Sequence, residues 1–121
     1  MTNFTTKDSG YREQYSTGMQ RDTQDGKARF DLLFPLDVPY SDQFFTRIAE
    51  LMTRGAEKYY ERNWEKAITK EEISRFRSSA ARHFFQWMSG DTEEDHASAV
   101  VFNLLAYETT VYKISQQEEE Q

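Results

Sequence analysis

The stretch Thr69–Ile114, TKEEISRFRSSAARHFFQWMSGDTEEDHASAVVFNLLAYETTVYKI, decides the fold. Thr69 with Glu72 three residues later is a capping box, in which the threonine hydroxyl and the glutamate satisfy free backbone N–H groups at a helix start. Behind it Ile73, Phe76, Ala80, His83, Phe84 and Trp87 recur at three and four residues, the spacing of one helix face. Gly90 is the natural stop, because glycine accepts the left-handed conformation that ends helices. Thr92 is predicted to open the next helix, with Asp95 at its N3 position. That helix carries the stripe His96, Val100, Asn103, Leu104, Tyr107, Val111 and Ile114. Two amphipathic helices around so short a turn form an antiparallel hairpin.

Upstream, Phe44, Ile48, Leu51, Met52, Gly55 and Tyr59 mark a further helix, with Ser41 as the expected N-cap just after Pro39. A link containing Asn63 and Trp64 joins it to the hairpin. The expected fold is therefore all-α, an antiparallel bundle of three to four helices over residues 41–115. Residues 1–40 contain Gly10, Gly18, Gly26 and both prolines and show neither a helical nor a strand period. They are predicted to form an extended N-terminal arm that packs on the bundle through the apolar run Phe30, Leu32, Leu33, Phe34. Residues 116–121 are expected to be a solvated acidic tail. The three apolar stripes are broad for so few residues, so a homodimer or higher homo-oligomer is expected to bury part of them.

Composition narrows the function. The 121 residues are 37 % hydrophobic, 15 % aromatic and 30 % charged, the profile of a soluble globular domain. No apolar run is long enough for a membrane span, and the polar stretch Met1–Gly10 does not read as a signal peptide. There is no cysteine, which excludes disulfides, thiolate zinc sites and cysteine nucleophiles and makes a cytoplasmic setting the expectation. The net charge is −6, and −3 without Glu118, Glu119 and Glu120. That balance argues against direct binding of duplex DNA but not against a small anionic ligand.

Polar residues on apolar stripes are the informative ones. With Gly90 as the turn, His83 should face the first two turns of the next helix, placing it with Glu94 or Asp95, His96 and Asn103 in one pocket. Imidazoles and carboxylates together suit a divalent metal or a water deprotonated for attack. Acids in a first helical turn also serve as caps and complement the macrodipole, and an inward histidine can be a hydrogen-bonded core residue. Two basic clusters, Arg21, Lys27 and Arg29 and then Arg75, Arg77 and Arg82, suit a polyphosphate. Trp64 and the neighbouring tyrosines could stack on a base or simply cap the bundle. Neither a Walker loop nor a dinucleotide-binding glycine motif is present.

Four segments, STGMQRDTQDGKARFDLL (Ser16–Leu33), RGAEKYYERNWEK (Arg54–Lys66), SSAARHFFQWMSGD (Ser78–Asp91) and EEDHASAVVFNLLAYE (Glu93–Glu108), carry a resemblance in their order and spacing. The chain resembles the phage-associated dATP/dGTP diphosphohydrolases, relatives of the all-α nucleoside triphosphate pyrophosphatases of MazG type. The resemblance implies an oligomeric helical enzyme that hydrolyses a purine deoxynucleoside triphosphate to monophosphate and pyrophosphate with Mg²⁺ or Mn²⁺, in the host cytoplasm if phage-encoded. Arg21, Lys27, Arg29, Lys58, Tyr59, Asn63, Trp64, Arg82 and Asn103 stand at positions that match the family's motifs and are the expected substrate contacts. His83, Asp95 and His96 are then the expected catalytic groups, and Glu94, Asp95 and His83 the expected metal ligands. The arm is expected to close over the substrate. The better-known MazG-type enzymes hold metal with E-E-x-x-E and E-x-x-D, and this chain has neither. A non-catalytic nucleotide-binding or protein-interaction module is the alternative. An HD-type phosphohydrolase is disfavoured, because the order here is Asp95-His96 and the chain has only two histidines.

Overall fold

The structure is a computed structural model that describes residues 3–120. The chain divides into two compact units at Leu32/Leu33. In the first, β1 (Arg12–Gln14) pairs antiparallel with β2 (Gln20–Asp22), with Glu13 opposite Arg21. Gly18 closes the hairpin at φ 90°, where its N–H donates to the Tyr15 carbonyl at 2.9 Å. This hairpin corrects the expectation of an arm without strands. Each strand is three residues long and wholly polar, so no apolar alternation exists to reveal it. Charge holds it instead: Asp8 forms a bidentate pair with Arg12, and Asp22 accepts from Ser9 and lies 3.8 Å from Lys27.

The second unit is a three-helix bundle: α1 (Phe44–Lys58), α2 (Lys70–Met88) and α3 (His96–Glu120). Helix α3 packs along both α1 and α2. His83 meets His96 and Arg77 meets Tyr107, so α2 and α3 run antiparallel. Arg47 meets Asp95, and Lys113 donates to the Glu65 carbonyl beyond α1, so α1 and α3 run the same way. The fold is thus up-down-up, as the spacing predicts, with the small sheet added. Among the described residues no helix is long and apolar enough to cross a membrane.

The boundaries of α2 match their sequence signals. The Glu72 N–H donates to Thr69 Oγ1 at 3.2 Å and the Thr69 N–H to Glu72 Oε1 at 3.1 Å, so both halves of the capping box form. At the other end Gly90 adopts φ 81°, with Gly90 N–H on the Trp87 carbonyl and Asp91 N–H on that of Gln86. That is a Schellman stop. Removing the cap in Thr69→Ala is expected to cost about 1 kcal/mol. Thermal denaturation followed by circular dichroism should show a Tm lower by roughly 3–5 °C.

Three other expectations are corrected. Ser41 lies inside a 3₁₀ turn (Tyr40–Asp42), and the residue before α1 is Gln43, which makes no side-chain cap bond. Helix α3 starts at His96 rather than near Thr92, because Asp91 and Asp95 each bind a backbone N–H two or three residues on and hold 91–95 in turns. That makes Asp95 the cap of α3, not its N3 residue. The buried face of α3 also differs: it is His96, Ala99, Asn103, Ala106 and Thr110, while Leu104 is 51 % exposed. Small residues let α2 and α3 approach closely and turn the large apolar side chains outward. Asn103 and Thr110 satisfy their polar atoms on the carbonyls of Ala99 and Ala106. Residues 116–120 are solvent-exposed, and they continue α3 as helix.

Candidate active site

The C-terminal half of α1, the 3₁₀ turn Asn63–Lys66, α2 and the start of α3 surround an open cleft of about 1200 Å³. Lys58, Tyr59, Asn63, Trp64, Arg82, His83, Glu94, Asp95 and Asn103 all line it. His96 lines a smaller hollow of about 480 Å³ with Arg47, Trp87 and Asp91, and Glu94 and Asp95 border both. Arg21, Lys27 and Arg29 belong to the first unit. There Arg29 is bound twice by Asp31, at 2.9 and 2.6 Å, and Lys27 lies near Asp22.

The chemistry concentrates where α2 ends and α3 begins. His83 Nδ1 and His96 Nδ1 lie 2.9 Å apart, and His96 Nε2 lies 3.0 Å from Asp91 Oδ1. The Asp91 carboxylate only accepts, so His96 carries its proton on Nε2 and offers its Nδ1 lone pair toward His83. Burial, followed by the nearby Arg82 charge, holds the His83 imidazolium pKa below its ordinary value, although Glu94 opposes this. Neutral imidazole is the form that ligates metals. A carboxylate oxygen of Glu94 lies within 4.8 Å of a ring nitrogen of each histidine, so His83, Glu94 and His96 form a cluster that could hold a metal ion. Glu94 is exposed while both histidines are buried, which leaves one side of the cluster open.

Asp95 has different partners. Its two oxygens receive Arg47 Nη2 and Nε at 2.5 and 2.9 Å, and it also caps α3 through the N–H and hydroxyl of Ser98. Arg47, then Ser98, holds the Asp95 carboxyl well below the usual carboxylate range against the effect of burial. Arg47 and Asp95 are 48 positions apart, so no local pattern announces the pair.

The cationic wall of the cleft holds two of the three arginines of the central basic cluster, Arg75 and Arg82, and adds Arg54. Arg75 and Arg54 line it beside Arg82 and Lys58, and none of these four has a carboxylate partner among the described residues. Arg75 was legible as the residue seven before Arg82, two helical turns away on one face. Arg77 instead donates to the Tyr107 hydroxyl. Trp64 stands edge-on to Phe102, centroids 6.0 Å apart, and the Lys58 ammonium lies 5.1 Å from the Tyr59 ring centroid.

No curated protein and no solved structure matches the chain. The model of one family, described as dATP/dGTP diphosphohydrolase, N-terminal, matches residues 17–120. That span takes in β2, all three helices and every residue of the cleft. By that match, the chain belongs to the dATP/dGTP diphosphohydrolase N-terminal family.

Proposed function

We propose that the chain hydrolyses the purine deoxynucleoside triphosphates dATP and dGTP to monophosphate and pyrophosphate in the bundle cleft. One observation carries this reading: a single cleft brings unpaired arginines, a lysine, aromatic rings and the His83 and Glu94 members of the imidazole–carboxylate cluster together, with His96 in the adjoining hollow. A triphosphate needs the first two, a base the third, and hydrolysis at phosphorus the last. Family membership over residues 17–120 points to the same substrates.

In this proposal Arg75, Arg82 and Lys58 bind the triphosphate oxygens, Arg through its planar fork and Lys as a point charge. Trp64 and Tyr59 face the purine, and Asn63 and Asn103 flank it. His83, His96 and Glu94 would hold a divalent ion, Mg²⁺ or Mn²⁺ by family expectation. When bound, the ion supplies positive charge against the α-phosphoryl oxygens and makes a coordinated water more acidic. Water attacks the α-phosphorus in line, and the bond to the α–β bridging oxygen breaks. Pyrophosphate leaves with that electron pair, and the attacking water gives up its proton to solvent. Asp95 acts here as a positioning residue that locks the start of α3. Arg21, Lys27 and Arg29 belong to the first unit, and their proposed phosphate-binding role is assigned within that unit alone, where Asp31 holds Arg29.

Binding is testable without turnover. Titrating a non-hydrolysable dGTP analogue should change tryptophan fluorescence in the native chain and leave it unchanged in Trp64→Phe, which retains only Trp87. An equal change in both would place the base elsewhere.

The reading includes a second copy of the chain. Phe85 is 69 % and Trp87 52 % exposed, with Phe84, Met88, Leu105 and Tyr112 also open on the bundle, while among the described residues the buried apolar ones are only Ile48, Ala67, Ala99 and Ala106. Light scattering is expected to give at least twice 14.3 kDa at micromolar concentration. A strictly monomeric protein would contradict it.

A further inference from the structure

We infer that the paired imidazoles make this a nitrogen-ligated centre for a first-row transition ion, Mn²⁺ through Zn²⁺, in preference to Mg²⁺, and that Asp91 is its positioning residue. The inference deepens the hydrolase reading and rests on it for the ion's role. Mg²⁺ is a hard cation that takes oxygen ligands in a near-ideal octahedron. Imidazole nitrogen suits the later first-row ions, and carboxylate suits Mn²⁺ as well. Two of the three donors here are buried histidine nitrogens, and only Glu94 brings oxygen.

The spacing fits. Two nitrogens bound at right angles to one ion, at about 2.1 Å each, lie about 3 Å apart. The Nδ1 atoms of His83 and His96 are 2.9 Å apart. Without an ion, the same space holds the proton of an N–H···N hydrogen bond. Binding an ion there moves that proton to the other nitrogen of the same ring, so both imidazoles stay neutral, and they need not move far.

Asp91 completes the arrangement from behind. It accepts from His96 Nε2 at 3.0 Å and from the Glu93 N–H at 2.9 Å, so its carboxylate is fixed before any ion arrives. A carboxylate on the far nitrogen of a ligating histidine sets the tautomer and strengthens the near nitrogen as a donor. The acid-rich loop after Gly90 therefore has two separable tasks, with Asp91 orienting His96 and Asp95 capping α3.

The test is pulsed electron paramagnetic resonance on the full chain loaded with Mn²⁺, together with calorimetric titrations of Mn²⁺ and Mg²⁺ in the absence of nucleotide. The expected result is ¹⁴N coupling from imidazole and Mn²⁺ that excess Mg²⁺ does not displace. Asp91→Asn, at a partly exposed position, should weaken Mn²⁺ binding about tenfold and perturb the ¹⁴N signal. An all-oxygen Mn²⁺ signal, or displacement by equimolar Mg²⁺, would overturn the proposal. Unchanged affinity in Asp91→Asn would remove its positioning role. Nitrogen-coupled Mn²⁺ in a protein that turns over no nucleotide would support this centre and end the hydrolase reading. Turnover with Mg²⁺ and an all-oxygen signal would do the reverse.

Discussion

Arg82→Ala is expected to lower kcat/KM for dGTP hydrolysis by about two to three orders of magnitude, with the melting temperature close to that of the native chain. Arg82 lines the cleft one residue before His83, and its nearest polar contact is Ser79 Oγ at 3.5 Å. No carboxylate neutralises it among the described residues, so its charge is free for phosphate. An exposed helical position with so few contacts contributes little to stability. Arg82→Lys keeps the charge and loses the fork, and should recover part of the loss. Initial rates resolved by ion-exchange chromatography decide the matter. Native kcat/KM in Arg82→Ala would take the phosphates out of this part of the cleft.

Asp95→Ala should be the most destabilising single change near the site. It removes the cap of α3, worth about 1 kcal/mol. It also removes a bidentate pair with Arg47, worth about another 1 kcal/mol after allowing for the partial exposure of both side chains. The Tm is expected to fall by roughly 6–10 °C. The pH dependence has a definite sign. Arg47 and Ser98 lower the folded-state pKa of Asp95, so its contribution is fully present above the ordinary carboxylate pKa of about 4. It is lost as pH falls through the lower folded value. The stability gap between native chain and variant should therefore be constant from pH 7 to pH 5 and close only in stronger acid. Denaturant midpoints at pH 7 and pH 3 measure this. A variant of native stability with no activity would return Asp95 to the catalytic role expected of it from the sequence.

The legible parts of this fold are the ones with local causes. The capping box of Thr69 and Glu72 and the stop at Gly90 each lie within a few residues, and α2 begins and ends where they say. The meeting of His83 with His96 follows from the short connection, residues 89–95, between α2 and α3. The start of α3 was not legible, because Thr92 and Asp95 are both good caps and only the reach of Arg47 from α1 favours the second. The polar hairpin in the first unit gave no periodic signal at all. The apolar stripe of α3 misled for a packing reason: close helices bury Ala99 and Ala106 and leave Leu104 outside. In the site, motif positions gathered most of the cleft residues and the central basic cluster supplied Arg75, but Arg54 joins them only in the fold.

The most direct measurement is product analysis after incubating the full chain with each of the four deoxynucleoside triphosphates and Mn²⁺. Equimolar monophosphate and pyrophosphate from dATP and dGTP, with neither diphosphate nor free phosphate, is the predicted result. Nucleotide recovered intact, even when tightly bound, would contradict it and leave the bundle as a binding module.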